Sequence, residues 1–202
     1  MTVAAPPAAG SRLHTLPIDL GVAAVVLIAL ALGLGLRAQN TGRTTTFQDK
    51  NSPLRVSYPA SWGSAMSLQE GALLKVEDPL TSSAFKTNLT VETRDLDLAS
   101  PPDLPSIVNR RIDQHAALTA YTLLGSVPTT IDGVAGQMLT YSYVARPLDA
   151  PQLDALPVVV VAREDIVIDS NRTTYITMAA PEVAAQQAND QFNAIIDSVK
   201  IK

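Results

Sequence analysis

The chain has 202 residues, 47% of them hydrophobic and 17% charged, and a net charge of −4. The acidic balance argues against nucleic acid as a partner, since that partner takes clustered Lys and Arg. The absence of cysteine excludes disulfides, thiolate metal sites, iron–sulfur ligation and c-type haem attachment.

Residues 1–15 are rich in Ala and Pro, with Arg12 and His14 as the only basic side chains. They cannot bury enough apolar surface to fold, so a disordered tail or one draped on a partner is expected. Residues 16–37 read as a transmembrane helix. From Leu20 to Leu36 the sequence LGVAAVVLIALALGLGL carries no charge and shows no polar face. A helix of that length covers roughly 26 Å, close to the ~30 Å hydrocarbon core of a bilayer. Extension back to Leu16 makes up the difference and takes in Asp19, which suits the positive end of the helix dipole; Pro17 suits the first turn. The run is longer than the ~7–15 residues of a signal-peptide core, and Arg37 is a poor neighbour for cleavage at Ala38, so a retained anchor is expected. Small residues four apart, Ala29 with Gly33 and Ala31 with Gly35, allow close approach of another helix and mark a helix-docking stripe. The charge rule weighs Arg12 and the amino terminus against Arg37, Arg43 and Lys50, and by itself puts the rest of the chain in the cytoplasm.

A polar linker is expected over 38–46, followed by one soluble domain over 47–202. Roughly 160 residues remain after the span, enough for a real core. A first short strand covers Thr44–Gln48. Leu54, Val56 and Tyr58 alternate with Arg55 and Ser57, a half-buried strand stopped by Pro59. A third strand spans Gly71–Glu77. Phe85–Arg94 places Thr87, Leu89, Val91 and Thr93 on one face and Lys86, Asn88, Thr90, Glu92 and Arg94 on the other. Ser100-Pro101-Pro102-Asp103 opens a helix on Leu104, Ile107, Val108 and Ile112 that fades near Ala120. Tyr121–Ile131 returns to strand, Asp132-Gly133 turns the chain, and Gln137–Ala145 alternates again. A Pro-flanked loop covers Ala150–Leu156. Val158–Asp169 is the most apolar strand, with a bulge or bend expected at Arg163-Glu164-Asp165. Thr173–Met178 pairs back after Ser170-Asn171. Pro181 and Glu182 open a last helix whose Ala188, Phe192, Ile195, Ile196 and Val199 follow the 3.6 period. Strands, helix, strands, helix make an α+β fold, an antiparallel sheet with helices on its faces.

Candidate sites are few. Tyr58, Pro59 and Trp62 form either an interaction edge or, for Trp62, a plug in the core. Asp95, Asp97 and Asp103, and again Glu164, Asp165 and Asp169, read as solvated carboxylates, because no loop has calcium-binding spacing. His115 has no second His or Cys at ligand spacing and reads as an exposed or capped histidine. No G-x-S-x-G elbow, P-loop or G-x-G-x-x-G occurs. No catalytic, cofactor or metal residues are assigned, and no enzyme is expected.

Several segments together resemble the PsbP-like family. They are Leu54-Arg55-Val56-Ser57-Tyr58-Pro59 with Trp62, Asp132-Gly133-Val134-Ala135-Gly136, and Thr174-Tyr175-Ile176-Thr177 followed by Ala180-Pro181 and Phe192-Asn193-Ala194-Ile195-Ile196-Asp197-Ser198. The resemblance implies a central antiparallel sheet flanked by helices. It also implies an extracytoplasmic or lumenal location and an accessory role on a membrane complex of photosynthesis or respiration. A retained span departs from the family, and so does the lack of the His and acidic clusters some members use for metal, so metal binding does not carry over. The expected function is a single-span accessory subunit of a membrane electron-transport complex such as the quinol-oxidising alternative complex III, with lipid and the other subunits as partners. The alternative is a membrane-tethered extracytoplasmic ligand-binding or sensor domain, which needs a deep apolar pocket.

Overall fold

The computed structural model describes residues 16–41, 43–65, 71–97, 99–146, 156–169 and 171–201, with the side chains of 16–20 and 34–41 left aside. The expected tail over 1–15 lies outside the described residues. The chain divides into two units, Met1–Gly42 and Arg43–Lys202. The first holds one helix, α1 (Leu16–Thr41). Arg37, Ala38 and Gln39 are good helix formers, so nothing stops this helix before Gly42. The linker expected over 38–46 is therefore corrected to the break between Thr41 and the first strand at Thr44. Among the described residues, whose side chains cover only 21–33 of α1, no helix is long and apolar enough to cross a membrane.

The second unit is an α+β sandwich. Its strands are β1 (Thr44–Gln48), β2 (Arg55–Pro59), β3 (Gly63–Ser64), β4 (Ala72–Glu77), β5 (Asn88–Asp95), β6 (Thr122–Ile131), β7 (Val134–Ala145), β8 (Val158–Asp169) and β9 (Arg172–Pro181). Its helices are α2 (Leu104–His115) and α3 (Ala185–Ser198), the latter entered through a 3₁₀ turn at Glu182–Ala184. β3 to β9 form one antiparallel sheet in the order β3-β4-β5-β9-β8-β7-β6, and β1 pairs with β2 apart from it. The short β3 escaped the sequence reading because two residues carry no period.

Local chemistry sets the hairpins. Asp132 and Gly133 have φ of 49° and 77° between the paired Ile131 and Val134. This is the two-residue turn with both central residues left-handed, which Asp-Gly favours and which matches the twist of the strands. Three residues on, Gly136 lies against β8 so closely that a Cβ would stand 2.5 Å from the Ile166 carbonyl oxygen and 2.6 Å from Val167 Cγ1. Gly136→Ala should therefore lower stability by about 1–3 kcal/mol, read as a shift in the urea midpoint with an unchanged slope. An unshifted midpoint would show that the β7–β8 spacing relaxes freely.

The sheet carries a core on each face. Leu54, Val56, Trp62, Leu89, Val91 and Ile176, with Phe192, Ile195 and Ile196 of the last helix and Val199 just past its end, close one face. The period-3.6 reading of that helix holds at Ala188, Phe192, Ile195 and Ile196, whereas Val199 lies past the helix end in extended backbone and is buried from there. Ile107 and Val108 of α2 close the other face over Leu139, Val160, Ala162 and Ile166. Asp103 caps α2 by accepting the Ser106 N–H at 3.0 Å. The helix ends at His115, five residues short of the expected Ala120, where turns take over and Ala120 adopts a φ of 54°. β1–β2 joins the α3 side. Arg55 and Lys200 exchange backbone hydrogen bonds at 2.9 and 3.0 Å, and the Ser57 N–H donates to Ser198 Oγ at 3.0 Å.

Candidate functional site

The densest polar cluster lies under α2. β8 runs unbroken through Arg163-Glu164-Asp165, paired residue for residue with β7 and β9. The bulge or bend expected there is absent. Alternation alone sends Glu164 to the α2 face with Val160, Ala162 and Ile166, and Asp165 to the opposite face. Both carboxylates are fully buried, not solvated as expected from the sequence. They need no bend because each meets a cation on its own face.

Glu164 is bound on every side. Arg111 Nε and Nη2 donate to its Oε1 at 2.9 and 2.7 Å, and Thr177 Oγ1 donates to the same oxygen at 2.9 Å. Oε2 lies 2.9 Å from His115 Nε2. Arg111 and His115 stand one turn apart on α2, and this i, i+4 spacing lets both reach one carboxylate. Arg111 also approaches Glu92 Oε1 of β5 at 3.4 Å and lies over the Tyr175 ring at 4.6 Å. His115 stacks on Tyr141 with ring centroids 4.4 Å apart, and Tyr121 and Tyr143 extend the aromatic row. His115 is thus a half-buried member of the cluster, not the exposed or capped side chain read from the sequence.

Burial pushes the Glu164 carboxyl up, but the His115 and Arg111 hydrogen bonds and the Arg111 charge outweigh it and hold it down at about 2. Burial drives Tyr141 well above the ordinary tyrosine value, with the Glu164 charge adding to it, and pushes Tyr143 up to about 12. These groups stay neutral phenols at physiological pH. The Glu164 oxygens thus meet Arg111, Thr177 and His115, three of the four contacts falling on Oε1. The cluster clamps α2 to four strands and works as a brace. Among the described residues no group of three or more His, Asp or Glu side chains could hold a metal ion.

On the opposite face Arg163 joins Asp165 at 3.1 Å, Asn193 Oδ1 at 2.6 Å and the Phe192 ring at 4.9 Å. Burial raises the Asp165 carboxyl despite Arg163 beside it. Arg163 borders a groove of about 190 Å³ between α3 and the sheet. A second cavity, about 330 Å³, lies where the 49–54 loop meets the ends of β5, β8 and β9; Ser52, Thr93, Asp169, Arg172 and Thr174 line it. Arg172 is tied to Asp95 there at 2.7 Å.

The remaining expected site residues are placed as follows. Trp62 is 6% exposed and belongs to the α3-side core, which makes it the plug of the two alternatives. Tyr58 and Pro59 stay half-exposed at the end of β2. Ala29, Ala31 and Gly33 are exposed along α1, and Gly35 lies outside the described side chains. Asp95 and Asp97 are exposed, and Asp103 is the α2 cap. The sequence reading missed Glu164 and Arg111. The period-2 pattern of β8, taken strictly, already placed Glu164 among buried neighbours.

An antiparallel sheet braced by one helix on each face, with the final helix folding back on the first hairpin, is a PsbP-like α+β fold. Solved structures share it. The domain is similar to LpqN of Mycobacterium tuberculosis, involved in cell envelope biogenesis, with a TM-score of 0.59 and 11% identity over 79% of this chain and 91% of that one. It is similar to cyanobacterial PsbP (CyanoP) from Synechocystis, with a TM-score of 0.56 and 13% identity over 79% and 92%. PA94 of Pseudomonas aeruginosa, a protein of unknown function, matches with a TM-score of 0.51 and 10% identity over 80% and 99%. No family model and no curated protein matches the sequence. At these identities the likeness shows the fold alone.

Proposed function

We propose that this chain is a non-catalytic, single-span accessory subunit. In this reading α1 anchors it, and its PsbP-like domain covers the extracytoplasmic face of a membrane electron-transport complex, photosynthetic or respiratory. The quinol-oxidising alternative complex III has such a body plan. The observation that carries the reading is the surface of α1. Val22, Val25, Leu27, Ile28, Leu30 and Leu32 are all more than half exposed. They look outward in several directions from a helix of 26 residues, about 39 Å long. Water does not tolerate such a surface, whereas lipid and neighbouring helices do. The PsbP-like resemblance supports the extracytoplasmic side, against the Arg37, Arg43 and Lys50 bias, because a large domain translocates despite modest charge.

The alternative, a tethered ligand-binding or sensor domain, relies on the cavity of about 330 Å³. That volume is at the small end for ligand sites, and its lining is mainly polar rather than the apolar wall such sites use. The accessory reading is therefore preferred.

Mild-detergent extraction of the tagged full chain, followed by identification of co-purifying proteins, tests it. Integral subunits of one electron-transport complex should accompany the chain. Gly33→Leu combined with Gly35→Leu should weaken their retention: the span stays apolar, but bulk is added where a neighbouring backbone sits, and a Cβ on Gly33 meets nothing within its own chain. A chain that emerges alone would overturn the reading.

A further inference from the structure

The second unit has exposed Leu and Val side chains at Leu80, Leu123, Leu124, Val127, Leu156, Val159 and Val183. Singly exposed apolar residues need no explanation; their segregation does. Leu80 sits in the connection from Glu77 to Asn88, the paired ends of β4 and β5. Val183 follows Pro181, which pairs with Val160 near the start of β8. Leu156 and Val159 flank that same start. Leu123 and Leu124 are beside Thr122, which pairs with Ser142 opposite Val161. Six of these side chains thus lie along one end of the sheet, and only Val127 lies mid-strand. The other end carries Asn51, Asp95, Asp132, Asn171 and Arg172.

Pro59 belongs to the apolar end, since Trp62 N–H bonds to the Pro59 carbonyl and the adjacent Gly63 pairs with Glu77. Thr44 pairs with Pro59, so the chain enters the domain at this end. On the anchor reading, the chain coming from the bilayer enters the domain at the apolar end.

We infer that this rim, led by Leu80, Leu156 and Val183, is a lipid-contacting surface that dips into the headgroup region and sets how the domain stands on the membrane. The three are 78%, 79% and 93% exposed. The apolar side chains run from the β4–β5 connection to β6, roughly 24 Å at ~4.8 Å per strand. A protein interface gathers its anchors at a central pocket, whereas a bilayer accepts separate side chains along a line. The inference rests on the anchor reading of α1.

The chain has no cysteine, so Leu80→Cys, Val183→Cys and Asn51→Cys each offer a single labelling site. The full chain, labelled with an environment-sensitive dye, is reconstituted into vesicles of phosphatidylcholine and phosphatidylglycerol. Flotation and resistance to carbonate extraction first report whether α1 inserts; a chain that washes off overturns both the anchor and the rim. With insertion established, the dyes at 80 and 183 should shift to the blue and be quenched severalfold by headgroup-level nitroxide lipid, while the dye at 51 stays water-like and unquenched. Equal water-like signals at all three positions overturn the rim and leave the anchor standing. Rim dyes water-like in vesicles but shielded in native membranes assign the surface to a protein partner and overturn the lipid assignment.

Discussion

Glu164→Ala should lower the stability of the 43–202 fragment by about 3–5 kcal/mol in urea denaturation, the loss expected when one member of a buried ion pair is removed. The carboxylate is fully buried and accepts four hydrogen-bonding contacts from Arg111, Thr177 and His115. Its removal strands the Arg111 guanidinium, whose side chain is only 10% exposed and whose one remaining carboxylate contact is Glu92 at 3.4 Å. Replacing both charges, Glu164→Leu with Arg111→Met, should recover most of the loss, because the double variant removes both halves of the pair and leaves Glu92 its Arg94 partner at 3.7 Å. A double variant as unstable as the sum of its parts would show that the cluster is worth more than its charges. The brace also sets an acid limit. The folded-state carboxyl is held near 2 against an ordinary value of 4.5, so its stabilisation is complete above about 4.5 and fades as pH falls from there toward 2. Glu164→Gln should flatten that limb of the stability profile, and an unchanged acid midpoint would assign acid unfolding to other groups.

Phe192→Ala should produce a loss of similar size, about 3–5 kcal/mol, by opening a cavity at the centre of the α3 side. The ring is 1% exposed, packs among Ile176, Met178, Ile195 and Ile196, and lies under the Arg163 guanidinium at 4.9 Å. Val183→Ala is the natural comparison. Val183 is 93% exposed just before the same helix, so its truncation should stay within about 0.5 kcal/mol. Equal effects at the two positions would mean that α3 does not seat on the sheet through Phe192. The contrast separates side chains that hold the domain together from those on its open surface.

The features legible in the sequence are those with a short-range physical cause. Alternation of Leu54, Val56 and Tyr58 marked β2, and Asp132-Gly133 marked a turn that its positive φ values suit. The spacing of Ala188, Phe192, Ile195 and Ile196 marked the buried stripe of α3. In each case the residues that decide the structure lie within one or two turns or one hairpin of each other.

Only the tertiary structure decided the rest. In sequence Arg163-Glu164-Asp165 looked like an interruption. In the sheet its members go to opposite faces, and Glu164 finds a partner 53 residues away in Arg111. Glu92 looked like part of a polar outer face, yet α2 crosses above it and turns that face into a second core. A charge can be buried only where a distant element delivers its counter-charge, and no local period encodes that delivery. The apolar rim has the same character. Leu80, Leu156 and Val183 are unremarkable singly and far apart in the chain; the strand order brings them to one end. Periodicity wrote the elements, and the register of seven strands decided which side chains meet.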